Sequence, residues 1–294
     1  MDKVFVIIAF LSNYMIGQTQ DIWKENCLTN DEHENRYASY SPDGKWIAYE
    51  SDRGGSWNIY LMDSNGQNLE KLTGDKSDDR RPSWHPNGKK LLFESNSDGI
   101  NELFTIELND RKVTKLKNQL NQGEVIFASF SPNGKKIAVS IQESDDKSDI
   151  VILKKNGEIH KTLVTNGKRN FYPKWSPNGK EILYFSRKDT RNKDDEIYRI
   201  DLETGEDVRL TNWSKHNFCP SWSFDNSKIV YVTSMESTRP EIYIMDRDGK
   251  NQTRITENEN GDTLPNWHPN TDKLLITAYR NGSYQVCELE LIRG

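Results

Sequence analysis

Five of six equivalent positions in this sequence carry Asn or Asp, residue types whose side-chain oxygens can hold a ligand. Each lies five residues before an aromatic residue that recurs along the chain. A ring of amide and carboxylate oxygens can bind a cation, a peptide or a sugar. The alternative is that each side chain caps its own turn by hydrogen-bonding the backbone. The six positions are Asn35, Asp79, Val125, Asn170, Asn217 and Asp262.

The next two positions of the repeat add arginine and aromatic side chains, the types that recognition surfaces favour. Part of this set must instead pack between neighbouring elements. The first of the two columns contains Arg36, Arg80, Phe171 and Phe218, and the second contains Tyr37, Arg81, Phe127 and Tyr172. The predicted ligand-binding residues are Asn35, Arg36, Asp79, Arg80, Arg81, Asn170, Phe171, Asn217, Phe218 and Asp262.

Fewer residues of the sequence are candidates for catalysis than for ligand binding. Asp79 and Asp262 are the only carboxylates in the Asn/Asp column, and paired carboxylates are the groups that glycoside hydrolysis requires. The sequence contains no Gly-x-Ser-x-Gly, His-Glu-x-x-His or phosphate-binding glycine motif. His85 and His268 replace Ser in two turns that are not neighbours, so we interpret them as turn residues. We therefore predict no catalytic residue, no metal and no cofactor.

These candidate residues are positioned by a sixfold repeat, which is the dominant feature of the chain. Its aromatic column has spacings of 44, 46, 45, 47 and 45 residues. The six aromatic residues are Tyr40, Trp84, Phe130, Trp175, Trp222 and Trp267.

Each repeat contains signals for four short strands. A Pro-Asp-Gly or Pro-Asn-Gly turn follows the aromatic residue in most copies, as in a tight hairpin. The second strand is aliphatic enough to be buried on both faces, and no helical periodicity separates the copies. The pattern predicts an all-β fold, a six-bladed β-propeller of four-stranded antiparallel blades. An open solenoid is the structural alternative.

The chain ends argue for a closed ring. The last copy stops after its third strand. Residues 26–29 precede the first copy at the same distance at which the fourth strand of one copy precedes the next copy. We expect residues 26–29 to pair with 284–291 and so to remove the exposed edge of an open array.

The same register makes a prediction about cysteines. Counting back along the first hairpin places Tyr60 opposite Lys71, and Cys287 and Cys27 are their equivalents in the closing blade. Directly opposite Cα atoms lie roughly 4.5 to 5.5 Å apart, within disulfide reach. We predict a Cys27–Cys287 disulfide, with coincidence as the alternative, and a buried or half-buried free thiol at Cys219.

The repeats resemble those of TolB-type propellers. The resemblance rests on Ser-Pro-Asp-Gly-Lys-Trp-Ile-Ala-Tyr at 41–49, Asp-Arg-Gly-Gly at 52–55, Ile-Tyr-Leu-Met-Asp at 59–63 and Lys-Leu-Thr at 71–73, and it extends over residues 26–292. It implies the propeller fold but not one function, because similar repeats occur in TolB, in gating propellers of peptidases and in other secreted proteins. TolB has an additional α/β domain before its propeller, whereas here we expect the propeller alone.

Composition and the N-terminus suggest a location. Residues 4–11 form an apolar run after Lys3, which resembles a secretory signal and is too short to span a bilayer. We expect a signal peptide at 1–17 and the propeller at 18–294, the alternative being a buried N-terminal strand. The net charge of −5 arises from 45 acidic and 40 basic residues that are interspersed. No nucleic-acid partner and no membrane-spanning segment are expected.

Three functions remain open at the level of sequence. The leading hypothesis is a periplasmic or secreted monomer that binds a protein or peptide of the cell envelope through one face of the ring. The alternative is a carbohydrate- or peptide-active enzyme that uses Asp79 and Asp262, because we expect the Asn/Asp column to surround one mouth of the central channel. A purely structural role is the third.

Overall fold

The computed structural model describes residues 6–7, 22–117, 123–190, 194–212, 215–234 and 239–293. Within these ranges the chain forms strands and turns and no helix, so the described part contains no helical segment capable of crossing a bilayer. The strands build six antiparallel sheets in consecutive chain order. This arrangement confirms the predicted six-bladed β-propeller.

Each blade begins with an inner strand and proceeds outwards through a second, a third and an outer strand. Blade 1 comprises Asn35–Tyr40, Trp46–Ser51, Asn58–Asp63 and Glu70–Lys71. Blade 2 comprises Asp79–Trp84, Lys90–Ser95, Glu102–Glu107 and Val113–Lys115. Blade 3 comprises Glu124–Phe130, Lys136–Ser144, Lys147–Lys154 and Ile159–Val164. Blade 4 comprises Asn170–Trp175, Glu181–Ser186, Glu196–Asp201 and Asp207–Arg209. Blade 5 comprises Asn217–Trp222, Lys228–Thr233, Glu241–Asp246 and Thr253–Arg254. Blade 6 comprises Asp262–Trp267, Lys273–Arg280, Ser283–Ile292 and the N-terminal strand Ile22–Cys27.

Two faces of the ring follow from this order. We call the face where the inner strands begin the upper face, and the face where they end the lower face. The turns after the inner strands therefore lie on the lower face. There the Gly44 backbone has φ 73°, and a Cβ added to it would lie 2.5 Å from Nε2 of His268 in the neighbouring blade. His268 Nδ1 accepts the Asn270 amide hydrogen at 3.1 Å, which agrees with its interpretation as a turn residue.

The second strands form the centre of each blade. Six equivalent aliphatic side chains have no exposed surface, as expected when sheets stack on both faces. They are Ile47, Leu91, Ile137, Ile182, Ile229 and Leu274.

The ring closes through strands from the two ends of the chain. Ile22–Cys27 pairs antiparallel with Ser283–Ile292, from Ile22 opposite Ile292 to Cys27 opposite Cys287. This confirms the predicted seam, but the N-terminal strand begins four residues earlier than expected. The longer strand places Trp23 opposite Leu291 and buries it in the same core cluster as Leu289.

The cysteine prediction is confirmed. Cys27 and Cys287 form a disulfide with their Cα atoms 3.8 Å apart, closer than expected, and Cys219 is a buried free thiol. Residues 6–7 pair with Lys24 and Trp23 outside the closing strand. The rest of the 1–17 segment lies outside the described residues, so the signal peptide stays a prediction.

Replacing both bonded cysteines, Cys27→Ser with Cys287→Ser, should lower the free energy of unfolding. The bond spans 260 residues, and in the chain-entropy model closing so long a loop contributes on the order of 5 kcal/mol. Urea unfolding of the oxidised wild type, the double variant and a Cys219→Ala control measures the difference. Equal unfolding midpoints for the wild type and the double variant would show that the seam holds without the bond.

Candidate functional site

Every inner strand contains a β-bulge at the same place. The residue at this position has a positive φ, between 50° and 62°, in all six blades, and the pairing with the second strand shifts register around it. Bulges of this kind redirect a side chain. The six bulge residues are Tyr37, Arg81, Phe127, Tyr172, Cys219 and Leu264.

The bulge residues converge inside the channel near the upper face. Tyr37 lies 6.4 Å from Phe127, and Phe127 lies 5.4 Å from Tyr172, between ring centroids. A cavity of about 130 Å³ lies against these rings and Arg81. Burial raises the pKa of Tyr37 to about 12 and that of Cys219 to about 12. Both side chains therefore remain neutral at physiological pH. The bulge residues, which are largely apolar, narrow the upper channel.

Two buried glutamates support the bulges of blades 2 and 3. Glu50 Oε2 accepts the Arg81 amide hydrogen at 2.7 Å, and Glu94 Oε1 accepts the Phe127 amide hydrogen at 2.5 Å. Each carboxylate reaches from the second strand of one blade to the inner strand of the next. Because an isolated buried carboxylate is costly, these bonds and their arginine partners are needed to hold the charge.

Arg81 provides the partner for Glu94. Its guanidinium forms an ion pair with the Glu94 carboxylate, and it lies 4.6 Å from the Phe127 ring centroid. Burial raises the pKa of Glu94, and the charge of Arg81 opposes that rise. The predicted residue Arg81 is thus a half-buried ion-pair member in the channel rather than an exposed rim residue.

A ladder of alternating aromatic and arginine side chains lies on the upper face across blades 6, 1 and 2. The Arg36 guanidinium is 4.3 Å from the Tyr284 ring and 5.4 Å from the Trp57 ring, and the Arg80 guanidinium is 4.3 Å from the Trp57 ring. Each contact is within cation–π range. We call Tyr284, Arg36, Trp57 and Arg80 the rim ladder.

Carboxylates fix the arginines of the rim ladder. Glu34 accepts from Arg36 at 2.9 Å, and Glu50 accepts from Arg80 at 3.1 Å. The arginine side chains retain 30% and 28% of their surface exposed. The ladder is therefore held in place yet accessible to a partner.

The other half of the upper mouth is lined by phenylalanines. Phe171 lies 5.6 Å from Phe127 and 5.9 Å from Phe185, and Phe185 lies 6.4 Å from Phe218. The Arg169 guanidinium is 4.7 Å from the Phe171 ring. The structure thus brings the predicted Phe171 and Phe218 together through Phe185, in blades 4 and 5 and away from the rim ladder.

The three predicted asparagines are fully buried at the turns between blades. Asn35, Asn170 and Asn217 each donate from Nδ2 to the carbonyl oxygen two residues earlier, at 2.9 to 3.0 Å. Bonds of this type hold a turn. Asn170 also donates to Ser148 O at 2.7 Å and accepts from Ser186 Oγ at 2.7 Å.

The two predicted aspartates are also enclosed. Asp79 accepts from Ser77 Oγ at 3.0 Å. Asp262 accepts from Arg280 Nη2 at 2.9 Å, and burial raises its pKa to about 6 although Arg280 opposes the rise. Both carboxylates thus have partners within the protein.

Possible metal ligands cluster in one place among the described residues, at Glu25, Cys27 and Cys287. Both sulfur atoms belong to the disulfide, so neither is available as a thiolate ligand.

Sequence reasoning missed Glu50, Glu94, Trp57 and Tyr284. A signal for the glutamates was present, since each interrupts an otherwise apolar second strand, after Tyr49 and Phe93 respectively. Trp57 and Tyr284 occupy the same repeat column, three residues before the positions of Tyr60 and Cys287.

Known proteins share this architecture. The model of the TolB beta propeller domain matches residues 20–193 and 188–294. An uncharacterised protein of Agrobacterium fabrum is 30% identical over 149 residues, which are 51% of this chain and 49% of that relative. The chain therefore spans about half the length of the curated relative it matches.

Solved structures agree on the fold. A TolB candidate from Agrobacterium tumefaciens is 26% identical with a TM-score of 0.64, over 72% of this chain and 73% of the other. TolB of Acinetobacter baumannii is 19% identical with a TM-score of 0.64, over 89% of this chain and 65% of the other. An oligogalacturonate lyase from Vibrio parahaemolyticus is 14% identical with a TM-score of 0.65, over 98% of both chains. The last two likenesses concern the fold alone.

Replacing one buried asparagine tests whether the side chains of the Asn/Asp column stabilise turns or bind a ligand. Asn170→Ala should lower the free energy of unfolding by about 2 kcal/mol, because Ser148 O and Ser186 Oγ lose a partner in a buried place. Urea unfolding measures this, with Asn65→Ala in an exposed turn as the control, expected within about 0.5 kcal/mol of wild type. An unchanged free energy of unfolding for Asn170→Ala would favour a ligand-binding role.

Proposed function

Because this chain belongs to the TolB β-propeller family, we propose that it is a binding module whose upper face engages a protein or peptide partner. The rim ladder carries this proposal. Tryptophan, tyrosine and arginine are the residue types that dominate binding energy at protein interfaces. Here four of them form one continuous stack across three blades.

Preorganisation adds to the argument. Ordering long side chains on binding costs roughly 0.5 to 1.5 kcal/mol for each one. Glu34 and Glu50 already hold the arginines of the ladder at 2.9 and 3.1 Å. A partner that docks on Trp57 therefore meets side chains whose conformational freedom is already reduced.

The other predicted residues have supporting roles in this proposal. Phe218 offers apolar contact on the opposite half of the mouth, with the buried Phe171 packed behind it through Phe185, while Arg81 braces the channel below the ladder. Their separation from the ladder suits an extended partner that crosses the mouth. The buried Asn and Asp side chains hold the turns that carry these residues and do not contact the partner.

The proposed setting is the cell envelope, in the periplasm or outside the cell, with the protein acting as a monomer. The Cys27–Cys287 disulfide supports this setting, because disulfides persist in oxidising compartments. The predicted signal peptide at 1–17 would deliver the chain there.

Trp57→Ala should weaken partner binding at least tenfold, since it removes the central ring on which Arg36 and Arg80 both stack. Partners are captured from envelope extract on immobilised wild-type protein, identified, and their dissociation constants are compared between variants.

Trp46→Ala is the matched control. Trp46 belongs to the same blade and is 39% exposed, but it lies at the lower end of its strand opposite Asp63. Both variants should retain the melting temperature of the wild type to within a few degrees. The proposal is wrong if the partner is lost with Trp46→Ala and retained with Trp57→Ala, or if wild type captures no stoichiometric partner.

A further inference from the structure

A second polar ring lines the channel below the bulges. It consists of the residue immediately before each recurring aromatic, so each blade contributes one member. Five members are small and uncharged, and blade 4 alone contributes a lysine. The ring comprises Ser39, Ser83, Ser129, Lys174, Ser221 and Asn266.

Four of these residues, from consecutive blades, line one cavity of about 240 Å³. They are Ser129, Lys174, Ser221 and Asn266. The turn prolines Pro132 and Pro177 also line it, which places the cavity at the lower face. Lys174 and Asn266 also line the upper cavity, but no residue of the rim ladder lines either cavity, so this is a different site from the proposed partner surface.

The Ser129 hydroxyl donates to Pro173 O at 2.9 Å, but the other three ring members at this cavity have no such partner. The side chains of Lys174, Ser221 and Asn266 form no hydrogen bond or ion pair with any described residue. Ser221 is nevertheless 7% exposed. The nearest charge-stabilising contact of Lys174 is the Tyr172 ring, 4.6 Å from Nζ. Buried polar groups ordinarily find partners in protein, water or ligand.

The cavity is lined by a single charged side chain, and that charge is positive. Its lining contains no Asp or Glu, and Lys174 is its only charged residue. Burial lowers the pKa of Lys174 to about 8. An anion placed beside Nζ would offset this desolvation, because an opposite charge favours the ammonium form.

We propose that the lower cavity binds a small oxyanion, a phosphate or a carboxylate group, through the Lys174 ammonium with Ser221 and Asn266 as hydrogen-bond donors. Ammonium, hydroxyl and amide groups are all donors to such oxygens. The volume of about 240 Å³ suits a small anion and excludes a folded chain. This site does not depend on the proposed function of the upper face.

Calorimetric titration of the full-length protein with inorganic phosphate, and separately with succinate, tests the site at constant ionic strength. The two probes distinguish a phosphate from a carboxylate ligand. We expect saturable binding of at least one probe with a stoichiometry of one. Lys174→Met, which keeps the length of the side chain and removes its charge, should weaken that binding at least tenfold.

Lys180→Met is the matched control, because Lys180 is an exposed lysine of the same blade and its loss should leave the affinity unchanged. Asn266→Ala removes one hydrogen-bond donor and keeps the charge of Lys174, so it should weaken binding severalfold. This variant replaces Lys174→Met in the test if Lys174→Met does not fold. Equal affinity in the variants and wild type, or no saturable binding of either probe at millimolar concentration, overturns the proposal.

The affinity should also fall as pH rises from 8 to 9.5, by roughly tenfold for each unit well above the Lys174 pKa. Other groups facing this part of the channel do not titrate there. Burial holds the pKa of Tyr37 and Cys219 at about 12 and raises that of Tyr172, and Arg81 stays charged beside Glu94. An affinity independent of pH over this interval would contradict a role for the Lys174 ammonium.

Discussion

The pairing of Ile22–Cys27 with Ser283–Ile292 is the interaction on which the rest of the ring depends. Blades contact mainly their neighbours, so an open ring would leave two blades with one uncovered side and an exposed strand edge. The disulfide joins the same two strands across 260 residues. Closure also assembles the candidate surface, because Tyr284 lies on the closing strand and Arg36 in the first blade stacks against it.

The seam is linked to the upper face by charge as well. Arg280 bonds Glu25 of the N-terminal strand at 2.6 Å and Asp262, the first residue of the blade 6 inner strand, at 2.9 Å. One guanidinium therefore connects the chain terminus, the last second strand and a member of the Asn/Asp column. A buried acid such as Asp262 is tolerated because this arginine offsets part of its desolvation.

The backbone of the ring has nearly sixfold symmetry, whereas its charged and aromatic side chains are distributed without that symmetry. All six inner strands share the bulge and the positive φ. Among the described residues, however, only Glu50 and Glu94 accept a bulge amide hydrogen with a carboxylate, and the rim ladder lies on blades 6, 1 and 2. The lower cavity is asymmetric in a different way, with its single charge at Lys174 in blade 4. The two faces therefore present different chemistry, cationic and aromatic above and a small cationic cavity below.

The sequence by itself determined the blade count, the turns, the aliphatic centres of the blades and the Cys27–Cys287 bond. These follow from local rules: a fixed repeat spacing, hairpin register and the alternation of a strand. The environment of each side chain was decided by the tertiary structure. Asn170 is enclosed by Ser148 and Ser186, and Arg36 meets rings from two blades. Such contacts join residues distant in the chain, and their distances depend on how the bulges and blades pack around the channel, which no single repeat encodes.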